Sequence, residues 1–130
     1  MVQQDLVDSM MSTANGIVED LEAYHDGKVM DRNDMRMKDE AEIENEDDVI
    51  DLYEYLMDNL GMRYIIDQDM DYDSCIITFA IGGPGIWLDT YQSEIRGRWG
   101  CDEVHVPLWH DIVEMVDDEV REYYECRRGC

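Results

Sequence analysis

MRYIIDQDMDYDSCIITFAIGGPGIWLDTYQSEIRGRW, residues 62–99, is the stretch on which the fold turns. Its apolar residues recur with period two in MRYIID, CIITFAI, GIWLDT and EIRGRW, and each run ends in turn-forming residues: the DQDMDYD run, Gly82-Gly83-Pro84-Gly85 and Tyr91-Gln92-Ser93. Successive side chains of a strand point to opposite faces, so this alternation predicts four antiparallel strands joined as a meander. In the fourth, Ile95, Gly97 and Trp99 share one face and Arg96 and Arg98 the other, the pattern of a sheet with one wet side.

Outward from the strands the period becomes helical. Leu6, Met10, Ile17, Leu21 and Tyr24 fall at helical spacings over residues 5–24, with Asp5, Asp8, Glu19, Asp20 and Glu22 mostly elsewhere on the wheel and Gly16 weakening the helix. Residues 25–45 are polar, mixed in charge and only sparsely apolar, which predicts a mobile linker with a short helix at most. Asn45 followed by Glu46, Asp47 and Asp48 has the form of a capped helix start, Val49, Leu52, Tyr53, Leu56 and Leu60 make its apolar stripe, and Gly61 is the expected left-handed cap. Pro107 opens a last helix over 107–125 with Leu108, Trp109, Ile112, Val113, Val116, Val120 and Tyr123 on one side. The expected architecture is a single α+β domain spanning 1–130: a four-stranded antiparallel meander over 62–100 with about three helices packed on it.

One domain also suits the 130 residues. The formal charge of −23, from 33 acids and 10 bases, excludes a nucleic-acid binder, which needs a basic footprint, and disfavours an anionic membrane surface. With 45% apolar residues the chain has enough hydrophobic material to offset chain entropy, so it folds. No run approaches the roughly 20 apolar residues of a membrane span, and no basic segment followed by an apolar one opens the chain, so a soluble, cytoplasmic protein is expected. In that setting Cys75, Cys101, Cys126 and Cys130 are expected as thiols.

The residues give little ground for catalysis. His25, His105 and His110 stand apart from any nucleophile elbow, phosphate loop or dinucleotide fingerprint, and paired carboxylates are inevitable among 33 acids, so no enzyme, no catalytic residue and no cofactor are expected. Asp67, Asp69, Asp71 and Asp73 imitate the start of a calcium loop, but counting from Asp67 the sixth position is Tyr72 in place of Gly and the twelfth is Thr78 in place of Glu. A turn whose aspartates bond their own backbone explains the run better. Cys126 and Cys130 lack the second pair of a zinc site, and the glycine loop at 82–85 precedes a strand instead of a helix, so neither a metal nor a phosphate site is expected.

Charge is the strongest signal. Residues 1–60 carry 18 acids against 4 bases, 61–100 carry 6 against 3, and 101–130 carry 9 against 3. Asp47, Asp48, Asp51, Glu54 and Asp58 lie off the stripe of the second helix, and Asp111, Glu114, Asp117, Asp118, Glu122 and Glu125 off that of the last. Duplex DNA carries one charge per roughly 1.7 Å, so 23 charges correspond to about 39 Å of duplex, close to the diameter of about 36 Å expected for a chain of this size. Such a surface would be drawn to a basic DNA-binding groove. Partner binding is therefore assigned to Asp47, Asp48, Asp51, Glu54, Tyr55, Asp58, Asp117, Asp118 and Glu122, with Tyr55 or Trp87 as an aromatic anchor where exposed.

This profile of a short acidic domain with carboxylate-rich helices, tyrosines among acids and no catalytic motif resembles the small anti-defence proteins of phages and mobile elements, the anti-CRISPR and anti-restriction DNA mimics. GGPGIWLDTYQSEIRGRWG, residues 82–100, also resembles a hairpin of small phage and plasmid proteins. The resemblance implies stoichiometric inhibition of a defence nuclease, a CRISPR effector foremost, by occupation of its DNA-binding or motif-reading surface in the host cytoplasm. Two other readings accompany it. Twenty Asp and 13 Glu against 2 Lys also suit a protein solvated in molar salt, although 11 Ile and only 4 Ala do not. The sheet face carrying Trp87, Arg96 and Arg98 is the recognition surface of an acidic binding module that involves no mimicry. A homodimer through the Met-rich first helix is expected only where that helix's stripe is not buried within the chain.

Overall fold

The structure, a computed structural model, describes residues 2–81 and 84–129. The chain runs α1 (Val2–His25), β1 (Val29–Asp31), β2 (Arg36–Lys38), two single 3-10 turns (Glu40–Glu42 and Glu46–Asp48), β3 (Val49–Ile50), α2 (Leu52–Met57), β4 (Gly61–Ile66), β5 (Tyr72–Ala80), β6 (Gly85–Asp89), β7 (Glu94–Trp99), β8 (Asp102–Pro107) and α3 (His110–Gly129). The class is α+β, with two antiparallel sheets: five strands in the order β4-β5-β6-β7-β8 and three in the order β2-β1-β3.

The four period-two runs are β4 to β7. The expected four-stranded sheet gains a fifth strand, because Asp102–Pro107 pairs along β7, with Ile95 opposite Val106 and Gly97 opposite Val104. Pro107 thus closes a strand, and α3 starts at His110. Register lines up one apolar row across the sheet, Met62, Ile77, Leu88, Ile95 and Val106, which faces the helices. Ile77, Leu88 and Ile95 are wholly buried. On the opposite side Trp87, Arg96 and His105 form a parallel row.

Helix α1 lies over β7 and β8 and α3 over β5, on the same face of the sheet. Helix α1 crosses at Gly97, where an added Cβ would stand 2.8 Å from Val104 Cγ2 and 3.3 Å from Met10 Cβ and Sδ. Glycine therefore sets how closely helix and sheet approach. Met10, Ala14, Ile17, Val18, Leu21 and Tyr24 of α1 are all buried, so its stripe faces the protein's own core and the ground for a homodimer through it is removed. From α3 the core receives Ile112, Val113, Val116 and Val120.

Residues 25–45 are not a linker. Met30 of β1 pairs with Met37 of β2 on one side and with Ile50 of β3 on the other. Tyr24, Met30 and Ile50 make a small second core, closed by a 2.7 Å hydrogen bond from the Tyr24 hydroxyl to the Ile50 carbonyl. The helix expected from Asn45 is divided as well. Asn45 caps only the turn 46–48, accepting from the Asp47 amide, and the chain then extends through β3 before Asp51 caps α2 by accepting from Glu54 N at 2.8 Å. Two capping residues six positions apart produce two short elements where one longer helix was expected. Gly61 begins β4 and does not end a helix.

Between β4 and β5, Asp67 Oδ1 accepts the amides of Asp69 at 2.9 Å and Asp71 at 3.0 Å, so the aspartate run is the expected turn. The expected turn at Gly82 and Gly83 lies outside the described residues. The two edges of the large sheet differ. β8 carries Asp102, Glu103 and Pro107, whereas β4 has Arg63 as its sole charge and partly exposes Ile65 and Ile66. Among the described residues no helix is long and apolar enough to cross a membrane.

Candidate functional site

Leu56 is the only buried residue of α2, and it pins the short helix beside α3. That placement aligns three shallow grooves along the helical side of the molecule. The first, about 390 Å³, is lined by His25 at the end of α1 and by Asp111, Glu114, Met115, Asp118 and Glu119 of α3. A second of about 200 Å³ lies between α3 and α2, lined by Glu119, Glu122, Tyr123, Cys126 and Tyr53. The third, about 470 Å³, runs along α2 with Asp51, Tyr53, Glu54, Met57 and Asp58. Glu119 belongs to the first two and Tyr53 to the last two, so the three form one continuous band of carboxylates with an aromatic centre.

Four of the chain's cations are engaged outside the band. Lys28 holds Asp39, Lys38 holds both Asp31 and Asp34, Arg96 lies by Glu94, and Arg98 by Glu103. Within the band Glu54, with Arg32 at 2.6 Å, Asp118, with Arg121 at 2.9 Å, and Glu114, near the His110 ring, have an ion-pair partner among the described residues. Asp51, Asp58, Asp111, Glu119 and Glu122 have no ion-pair partner among the described residues. Partial burial raises the Glu119 carboxyl above its ordinary range, and the charges of Glu122 and Asp51 add to the shift. Glu119 therefore lies in a negative field drawn from both helices.

The residues assigned from the sequence divide. Asp51, Glu54 and Asp58 line the α2 groove, and Asp118 and Glu122 the α3 grooves. Asp47 and Asp48 lie on the turn before β3, outside the grooves. Asp117 is in none of the three grooves: it accepts the Tyr72 hydroxyl of β5 at 2.5 Å, and the Arg121 guanidinium lies over the Tyr72 ring at 5.2 Å. Tyr55 is not an exposed anchor: its ring packs against Tyr24 and Phe79, and its hydroxyl donates to Asp20 at 3.0 Å. Burial raises the Asp20 carboxyl against the opposing effect of that hydrogen bond. Tyr53, 43% exposed, takes the place expected for Tyr55.

Sequence reasoning passed over Tyr53, Glu119 and His25 as site residues. Tyr53 had been placed in the apolar stripe. Glu119 stands seven residues after Ile112 and three after Val116, so an acid occupies a position where the helical period calls for an apolar side chain. That misplaced acid was the available signal.

On the far side of the sheet, Arg96 lies over the Trp87 ring at 5.8 Å, and His105 Nδ1 meets Glu94 Oε2 at 2.7 Å. There acids and bases alternate. Cys75, buried beside Thr90 and Tyr72, has its thiol pushed up to about 11 by burial and is an inert packing group. Among the described residues no three metal-ligating side chains gather as an ion would require.

Fold and site define an α+β protein with helices on one face of an antiparallel sheet and an acidic, aromatic-centred band across two of them. Comparison with protein-family models, curated proteins and solved structures found no match to this chain.

Proposed function

We propose that the chain is a stoichiometric inhibitor of a nucleic-acid-targeting defence nuclease, a CRISPR–Cas effector foremost, acting as an acidic DNA mimic that occupies the nuclease's DNA-binding surface. The observation that carries this reading is the band of carboxylates across α2 and α3, five of whose eight acids have no ion-pair partner among the described residues. Like charges held together raise the free energy of the free protein, and a basic groove relieves that cost while releasing its own bound anions. The inhibitor works by occupancy, with no bond made or broken and no cofactor. Long-range attraction speeds encounter, and the aromatic centre supplies short-range contact.

The test is binding to the effector isolated from the natural host, titrated against salt and against duplex DNA. A mimic engaging six to ten basic side chains loses about 10³ to 10⁵ in affinity between 50 and 200 mM salt and is displaced by DNA. Replacing Asp58, Asp111, Glu114 and Asp118 of the band together by Lys should abolish inhibition while the protein stays folded. Normal inhibition by that variant defeats the reading. A second reading is favoured by the uncovered row of Trp87 and Arg96: a binding module that uses the charge-balanced sheet face, whose partner would be indifferent to both salt and DNA.

A further inference from the structure

The cavity between α2 and α3 has walls of two kinds. Tyr53 and Tyr123 meet with ring centroids 5.9 Å apart at 58°, forming an angled aromatic floor. Glu119 and Glu122, one turn apart on α3, supply its carboxylates. At about 200 Å³ it is smaller than the about 300–1,000 Å³ of small-molecule sites, a size for a single side-chain head group. The two surfaces ask for one occupant that satisfies both. A cation lies favourably over the face of an aromatic ring, and a carboxylate pair adds charge and hydrogen-bond acceptors. A planar guanidinium does both at once, stacking on the ring while its fork of N–H donors reaches the carboxylates, whereas a lysine ammonium is a strongly hydrated point charge. The protein already uses this chemistry on itself: the Arg127 guanidinium lies over the Tyr123 ring at 5.7 Å, and its Nη1 donates to the Tyr123 hydroxyl at 3.1 Å.

We infer that this cavity is an arginine receptor: one arginine of the partner's basic surface lies on Tyr53 with its guanidinium paired to Glu119 and Glu122, beside the Tyr123 ring that Arg127 already covers. The inference rests on the proposed function for the identity of the partner, though not for the chemistry of the cavity. It makes the band a combination of parts, with diffuse charge that attracts any basic surface and one notch that selects a side chain. Glu119, whose carboxyl is raised first by burial and further by the charges of Glu122 and Asp51, supports it, since an incoming cation offsets those charges.

The experiment uses the full chain with ¹³C-labelled tyrosine, titrated with N-acetyl-arginine methylamide and, separately, with the lysine analogue, at matched ionic strength. The expected result is a saturable shift of the Tyr53 and Tyr123 ring signals by the arginine compound, with a several-fold weaker response to lysine. Tyr53→Leu removes one ring at an exposed position and should weaken binding about two- to fivefold, the factor that an exposed cation–π contact supplies. Glu119→Gln should weaken it independently of any effect on the rings. A linear, unsaturating shift, an equal response to lysine, or unchanged affinity in both variants overturns the inference. The outcome is separable from that of the mimic reading. A notch that binds arginine in a chain whose Asp58, Asp111, Glu114 and Asp118 variant, which leaves the notch intact, still inhibits leaves the receptor standing and removes mimicry; the converse pattern removes the receptor alone.

Discussion

Around the small sheet, Lys28 is bonded to Asp39 at 2.6 Å and Lys38 to both Asp31 and Asp34 at 2.7 Å, whereas a helix away Asp51, Asp58, Glu119 and Glu122 have no such partner among the described residues. Both lysines of the chain serve the first region and none the second. The two regions sit beside each other, joined through Tyr24, Ile50 and α2. The difference teaches that neutralisation is available to this sequence and is placed where three-residue strands must be held. Such strands have little core of their own, and Asp31 also accepts the Asn33 amide at 2.9 Å, which ties the β1–β2 turn to the same carboxylate. The band has the converse arrangement: its helices are fixed by apolar contacts beneath, which leaves the carboxylates above unmatched.

The largest effect should come from detaching the band. Leu56→Ala removes the one buried anchor of α2 and should cost about 2–5 kcal/mol in urea unfolding. A much smaller loss would mean that α2 is held by its caps and that the contrast with the small sheet is false. Next in size is Lys38→Met, which strips the cation from Asp31 and Asp34. The hydrogen bond from Lys38 holds the Asp31 carboxyl below its usual range. A lowered folded value makes this stabilisation present above the unfolded carboxylate pKa of about 3.9 and lost as pH falls through the folded value. Thermal melts should therefore show a deficit for Lys38→Met at neutral pH that closes on acidification. A deficit independent of pH would show that packing of the lysine stem, and not its charge, matters.

The smallest effect carries the opposite sign. The raised Glu119 carboxyl means that folding disfavours its charged form. Its penalty exists at neutral pH and vanishes once pH falls below the unfolded value. Glu119→Gln should stabilise the free protein at neutral pH by under about 0.5 kcal/mol and leave it unchanged near pH 3. Destabilisation at neutral pH would place a cation at Glu119 and erase the distinction between band and sheet.

Strands were legible where alternation was long enough to repeat. In β5 to β7 the buried row Ile77, Leu88, Ile95 follows directly from period two. β8 was hidden because DEVHVP begins with two acids and ends in proline, and its pairing to β7 is what makes it a strand. In β1 and β2 three residues each are too few to display a period, so their order comes from Tyr24 and Ile50, distant in sequence. In α2, Asn45 and Asp51 both have capping side chains, and nothing local says which one starts the longer helix. The acids of the site were readable from the sequence and its anchor was not. Tyr53 and Tyr55 are separated by two positions, and which one faces outward depends on α2 beginning at Leu52 instead of Glu46.

The unequal edges of the large sheet have a consequence for handling the protein. β8 is blunted by acids and Pro107, while β4 has a single charge, Arg63, and a backbone edge with Ile65 and Ile66 beside it, the kind of template on which strands of other molecules can grow. At low ionic strength the net charge of −23 keeps copies of the chain apart and so guards that edge from a distance. Salt shortens the reach of this guard to about 3 Å at 1 M, and neutralising substitutions weaken it directly. Colloidal stability and recognition thus draw on the same carboxylates, and variants made to probe one will aggregate more readily through the other.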